Sequence, residues 1–435
     1  MSVKSIFSTD NIQILKKLFY EKKLGRTIFL DAISKGLPYL FLPLFLKLMP
    51  LSEYGLYTFI IYVITTGSYI FQFGFETAKT RLYFIYSNVE RGQMIFGMNA
   101  FIFILFIIIV LIDFKFSIIC TYLLNIAPQI GFKLEFSILS LIFINAVIML
   151  LMRHLTLNNH ILTYQLWNTI RILSINIFII IITYFMFSST VTAAQRIYYE
   201  LVVSLVVIVP FYVYFYHNSF VYKFNYAIMR RVFELGLPMM IGGIIAVAYN
   251  ISDKYFIRKF IDYDALAVYN LTLFLIMPIG LLFTSFFDSY WVPRFFSKNN
   301  IQINIEETNR VTLVLCVILI LTLPVFLLFI FYYLKFTHNP IQFNSIIWIF
   351  IILYFSRSFD ILTQFYNNFF IIAEKTYQST LLNLTISLLI VLFNWILIQR
   401  IGIMGAAVVL IFTSFIKFIL FFINAKRISS KFIVK

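Results

Sequence analysis

Windows of roughly twenty apolar residues, the length a helix needs to cross the hydrocarbon core of a bilayer, recur twelve times along this chain with short gaps between them. They lie near 27–48, 54–74, 94–112, 136–152, 163–187, 196–216, 232–252, 265–288, 311–334, 345–373, 379–399 and 402–424. The longest gap, 113–135, is too short to hold an extramembrane domain. A chain of 435 residues that is 62% hydrophobic and 12% charged cannot bury its apolar surface in a water-soluble core and keep a polar exterior. The expected fold is therefore all-α, a polytopic membrane protein of about twelve transmembrane helices. An outer-membrane barrel is excluded, because its strands alternate apolar and polar residues over about ten positions. No secretory leader is expected, since residues 1–26 are polar and basic.

The windows also repeat as a set. Gly36-Leu37-Pro38 returns as Gly236-Leu237-Pro238, and each copy opens a run of six apolar segments. Glu53-Tyr54-Gly55-Leu56-Tyr57 precedes the second span of the first run, and Ala265-Leu266-Ala267-Val268-Tyr269 holds the same place in the second. Duplicated helix sets are a common construction of secondary transporters, with the substrate site at the repeat interface. Six is an even number, so both runs start on the same side of the membrane and form two parallel six-helix lobes. The expected organisation is a basic amphipathic tail over 1–26, an N-lobe over 27–217, a linker over 218–231, a C-lobe over 232–424 and a basic tail over 425–435.

Lys and Arg set the orientation. The N-terminal tail and the loops on its side carry more than twice as many as the other side, which places both termini and the linker in the cytoplasm. The net charge of +16 then faces anionic lipid headgroups rather than nucleic acid. In the tail, Ile12, Leu15, Leu18 and Phe19 share a helical face among Lys16, Lys17, Lys22 and Lys23, as in a helix lying on the membrane surface.

Charges inside spans are the sharpest functional signal, because each is costly in lipid and faces a bundle interior or water. Asp31 and Lys35 lie in span 1, Arg171 in span 5, Glu234 in span 7, Arg357 and Asp360 in span 10 and Lys417 in span 12. Asp31 with Lys35, and Arg357 with Asp360, are spaced to share a helix face. Each pair reads either as an ion pair neutralised for burial or as part of a substrate or ion site. Arg171 has no acid within a helical turn; it requires an anion, which a phosphate-bearing substrate supplies through bidentate hydrogen bonds. Lys417 reads as a substrate contact or as a peripheral lysine reaching lipid headgroups. Glu234 stands near the start of span 7, where the helix dipole favours a boundary acid. If protons drive transport, Asp31, Asp360 or Glu234 must carry them. Pro38, Pro43, Pro210, Pro238, Pro278 and Pro324 fall within spans, where they free carbonyls to line a cavity or simply kink the helix.

Enzyme signals are missing. Asp262-Tyr263-Asp264 has the form of a nucleotide-sugar motif but sits in a loop too short to fold such a site, and no glycine run matches a Walker loop. The histidines, His154, His160, His217 and His338, lie at span ends and do not form a proton relay. Cys120, in a loop, and Cys316, mid-span, fit no metal or redox spacing. No catalytic residue, metal or cofactor is expected.

Several segments resemble the polysaccharide-exporter branch of the multidrug/oligosaccharidyl-lipid/polysaccharide flippase superfamily, the Wzx-type O-antigen flippases. They are Leu42-Pro43, Ser52-Glu53-Tyr54-Gly55-Leu56-Tyr57, Phe73-Gly74-Phe75-Glu76-Thr77-Ala78, Ser252-Asp253-Lys254-Tyr255-Phe256-Ile257, Ala373-Glu374-Lys375-Thr376 and Gly402-Ile403-Met404-Gly405-Ala406-Ala407. The resemblance covers nearly the whole chain. It implies two lobes in a V that open alternately to either side of the bacterial inner membrane. It also implies an undecaprenyl-diphosphate-linked oligosaccharide, moved from the cytoplasmic to the periplasmic leaflet, with Lys35, Arg171 and Arg357 holding the diphosphate. The implied partners are the lipid-linked oligosaccharide, membrane lipids and the polysaccharide polymerase and chain-length proteins.

Two other functions are open to such a chain. A drug/cation antiporter of the same superfamily would place more acids than bases in its cavity, whereas the mid-span charges are Lys35, Arg171, Arg357 and Lys417 against Asp31 and Asp360. A membrane-embedded polysaccharide polymerase would carry a large external loop with catalytic groups, and the gap at 113–135 holds only Asp113 and Glu135 as acids.

Overall fold

The computed structural model describes residues 22–124, 128–158, 160–186, 190–216, 221–287, 291–297, 301–336, 343–373 and 375–431. The amphipathic face expected over residues 12–19 lies outside them. The apolar runs form helices α1 (Lys22–Leu48), α2 (Leu51–Phe71), α4 (Asn88–Phe116), α5 (Pro128–Leu157), α6 (Ile161–Met186), α7 (Ala193–Tyr216), α8 (Tyr226–Phe260), α9 (Tyr263–Phe286), α11 (Ile301–Phe336), α12 (Phe343–Ile372), α13 (Thr376–Ile401) and α14 (Ile403–Lys431). Two short helices, α3 (Phe75–Leu82) and α10 (Val292–Ser297), complete the series. Among the described residues ten helices, α2, α4–α7, α9 and α11–α14, are long and apolar enough to cross a membrane. The expected spans 27–48 and 232–252 lie on α1 and α8, where part of the side chains is outside the described residues. Cys120, expected in a loop, sits in a π-helical turn, Ile119–Leu124. Burial pushes its thiol up to about 12, helped by the neighbouring Glu135 carboxylate, which leaves it inert at neutral pH.

Local signals set the helix ends. Ser87 accepts from the Glu90 amide while the Glu90 carboxylate accepts from the Ser87 amide, a capping box that starts α4. Between α2 and α3 the chain turns through two left-handed residues, Phe73 and Gly74, with φ of 49° and 68°. Gly402, with φ 64° and ψ −146°, a conformation open to glycine, separates α13 from α14.

Packing gathers the helices into two compact units. One comprises Met1–Pro50 with Val63–Gly243, the other Leu51–Tyr62 with Ile244–Lys435. Helices α2 and α8 therefore each contribute one end to either unit. In the first unit α1 packs along α6, α7 lies against α5 and α6, and α4 and α3 lie on α5. Its cores are Phe45, Ile175, Ile179 and Val203 in one cluster and Ile95, Leu151, Leu155 and Phe211 in another. In the second unit α14 packs on α12 and α13, and α12 also carries α9 and α11.

Lipid competes for apolar side chains, so helices in a membrane associate through close packing and hydrogen bonds. The repeated segments supply the close packing. In the first unit a Cβ on Gly236 would come within 2.5 Å of the Phe73 carbonyl oxygen, and one on Gly74 within 2.2 Å of the Gly236 oxygen. In the second, a Cβ on Gly55 would stand 1.9 Å from the Tyr263 oxygen. A Cβ on Gly36, the first-copy counterpart of Gly236, would meet nothing within 4 Å among the described residues. Phe73, Phe75, Phe101 and Phe233 close around the Gly74–Gly236 contact with ring centroids 4.9 to 6.5 Å apart. Hydrogen bonds supply the rest: Ser68 Oγ to the Ile142 carbonyl at 3.1 Å, Asn270 Nδ2 to Thr58 at 2.9 Å and Asn394 Nδ2 to Ser252 at 3.1 Å.

Candidate substrate and ion sites

Arg171 sits midway along α6, and the polar groups around it are amides. Its Nη1 donates to Asn145 Oδ1 of α5 at 3.2 Å, and its Nη2 lies 3.5 Å from Asn168 Oδ1, one turn earlier on α6. Its buried Nε has no acceptor among the described residues, and no carboxylate there lies within ion-pair distance. Beside it opens a cavity of about 20 Å³, lined by Trp167, Ile148, Leu151, Val207, Ile208 and Phe211. That space holds one water-sized body, which is also the size of a single phosphoryl oxygen. A permanent cation, an unused donor and an apolar wall make this a place where a hydrogen-bonded contact with an anion is stronger than the same contact in water.

The second unit brings together Arg357, Asp360 and Lys417. Arg357 and Asp360 are a turn apart on α12 but do not close an ion pair with each other. The Arg357 guanidinium lies over Gly280 of α9, so closely that a Cβ there would meet Nη2 at 2.5 Å. Asp360 accepts from Ser414 Oγ of α14 at 3.3 Å and is flanked electrostatically by Lys417 and Arg357, with Tyr249 of α8 also within its field. Ser356 and Ser414 bridge α12 and α14 at 3.1 Å. Glu234 lies on an exposed face of α8 in an i, i+4 ion pair with Arg230 at 3.0 Å. Asp31 and Lys35 fall on α1, and their side chains lie outside the described residues.

Three cations at or just beyond the ends of expected spans are buried. Lys254, at the end of α8, donates to both oxygens of Asp253 at 3.0 and 3.1 Å and to the Asn250 carbonyl, under the Tyr62 ring at 4.4 Å. Tyr269 Oη donates to the same carboxylate at 2.7 Å. Arg196 is buried with its guanidinium 3.6 Å from the Phe45 ring centroid. Lys79 of α3 is 1% exposed and donates to the Leu150 carbonyl at 3.1 Å, beside a Glu76–Arg153 ion pair. These cations hold helices together instead of facing headgroups. Adjacent opposite charges at 253 and 254 were a readable signal for one; nothing local marked Lys79.

Burial drives the Lys79 pKa from 10.5 down to about 7, against the pull of Glu76. Between pH 7 and 10.5 the unfolded chain binds the extra proton, so stability rises with pH across that window and the full cost remains below it. Lys79→Met should abolish that rise; a melting profile in detergent whose pH slope is unchanged in the variant would refute the assignment.

A family model described as "Polysaccharide biosynthesis protein" matches residues 22–299, well over half of the chain. The chain belongs to that family. Solved structures agree on the fold of this family member. The lipid II flippase MurJ in an inward closed conformation superposes with a TM-score of 0.73 at 13% identity, covering 95% of this chain and 90% of that one. An inward-facing multidrug resistance MATE transporter of the MOP superfamily superposes with a TM-score of 0.58 at 14% identity, covering 92% and 94%. A search of curated proteins gives no match. The family member thus shares the polytopic helical fold of these two proteins.

Proposed function

We propose that this polysaccharide biosynthesis protein is a flippase that moves an undecaprenyl-diphosphate-linked oligosaccharide, an O-antigen or capsular repeat unit, between leaflets by alternating access of lobes 27–217 and 232–424. The observation that carries the reading is Arg171, a cation with a free buried donor and a cavity sized for one phosphoryl oxygen. Lys35 and Arg357 are the further candidate contacts for the diphosphate. Among the acids, Asp31, Asp360 and Glu234 are available for ion coupling, and Asp360 lies within the field of Lys417 and Arg357. Family membership and the shared fold with a lipid flippase support the substrate class. The protein performs no covalent chemistry; it sits in the bacterial inner membrane with both termini cytoplasmic and hands its cargo to polymerase and chain-length proteins.

The MATE-like fold favours drug/cation antiport as the second reading, but the mid-span charges, Lys35, Arg171, Arg357 and Lys417 against Asp31 and Asp360, are mainly cationic and disfavour such cargo. Proteoliposomes of the purified protein separate the two. Lectin accessibility of a lipid-linked oligosaccharide added to one leaflet should change with time, while ethidium should not be exchanged for protons. Ethidium movement with a static glycolipid would reverse the choice.

A further inference from the structure

The first unit carries an apolar surface that neither helix packing nor the proposed transport path uses. Phe84, Ile85 and Val89, around the turn from α3 to α4, and Tyr222, Phe224 and Tyr226, on the linker into α8, are 57% to 74% exposed. The two segments form one surface. Asn225 Nδ2 donates to Gln93 Oε1 at 3.0 Å, and the Phe96 and Tyr222 rings lie 5.6 Å apart. A Cβ on Gly97 would meet Met229 Sδ at 2.5 Å, so α8 starts pressed against α4. Val89, Gln93 and Phe96 fall on one stripe of α4, which carries the patch from the turn to the linker.

Cations rim the patch. Arg81, Lys223 and Arg231 are exposed, and no carboxylate lies within ion-pair distance of them among the described residues. Arg230 is taken by Glu234, and Arg91 lies over the Tyr83 ring at 4.8 Å. A contiguous patch of large apolar side chains is costly in water. Rings and aliphatic groups fixed beside unpaired cations match the layer where acyl chains meet phosphates.

We propose that this surface lies in the headgroup layer and binds anionic phospholipid. Arg81, Lys223 and Arg231 take lipid phosphates, while Phe84, Ile85, Val89, Phe224 and Tyr226 reach the acyl boundary. Residues 221–231 are then a strap on the bilayer and not a tether in the cytosol, whatever the protein transports.

Bromine quenching of tryptophan fluorescence tests it. The full-length Phe224→Trp protein is placed in nanodiscs of equimolar phosphatidylcholine and phosphatidylglycerol with bromine on one lipid at a time, and the quenching of the native tryptophans is subtracted using the unmodified protein. Brominated phosphatidylglycerol should quench the added indole more strongly, with local enrichment of about fivefold per engaged cation. Adding Arg81→Gln, Lys223→Gln and Arg231→Gln should bring the two lipids to parity. Equal quenching in the single variant, or a preference that survives removal of the cations, overturns the proposal. Quenching by neither lipid also overturns it and assigns the surface to a soluble protein partner.

Discussion

Arg171→Ala should abolish polysaccharide export in a complementation assay while the protein remains in the membrane at normal abundance. An unpaired charge contributes little to the fold, because its desolvation is not repaid by a carboxylate. The variant should therefore melt at the same temperature as the parent or higher. Export should fall for a different reason: truncating one side of a buried charged hydrogen bond costs about 2–5 kcal/mol, roughly thirtyfold or more in rate or affinity. Arg171→Lys should fall between, since an ammonium cannot keep Asn145 and Asn168 and also present a donor to the cavity. Undiminished export by the alanine protein removes Arg171 from the site. Loss of export accompanied by a large drop in melting temperature would make it structural.

The second large effect concerns Gly74. An alanine there must hold φ near 68°, which costs about 1–2 kcal/mol in the left-handed region. Its Cβ also meets the Gly236 carbonyl oxygen at 2.2 Å, with backbone on both sides and no side chain to yield; overpacking of this kind costs about 1–3 kcal/mol more. Gly36→Ala provides the contrast. That residue has open space around it, and alanine is favoured over glycine within a helix by up to about 1 kcal/mol. Melting temperature in detergent should fall markedly for Gly74→Ala and stay level or rise for Gly36→Ala. Equal behaviour of the two would mean that the Gly74–Gly236 approach is not a stabilising contact.

These cases show where the sequence was readable. Long apolar runs announce helices because a helix satisfies its own backbone in lipid, and each expected span falls largely on a helix among the described residues, although the second runs into the turn at Phe73 and Gly74. That Arg171 has no acid within a turn was legible locally. Its partner Asn145 was not, since it reaches in from a neighbouring helix. Spacing put Arg357 and Asp360 on one face, yet Gly280 and Ser414 on other helices draw them to separate contacts. Lys79, Arg196 and Lys254 read as loop charges from their positions at span ends, and tertiary packing buries them. The repeated Gly-Leu-Pro was visible as a pattern, but only the backbone contact shows that Gly236 requires its glycine and Gly36 does not.

The sharing of α2 and α8 between units also governs biosynthesis. The first unit lacks Tyr226–Gly243 until those residues leave the ribosome, so Gly74 and its ring of phenylalanines wait unpaired while the intervening helices insert. The segment Leu51–Tyr62 is made early and waits longer still, for Tyr263 and Tyr269. Neither half of the gene encodes a complete folding unit. Fragments cut in the 218–231 linker should therefore accumulate only when expressed together, each acting as the missing template for the other.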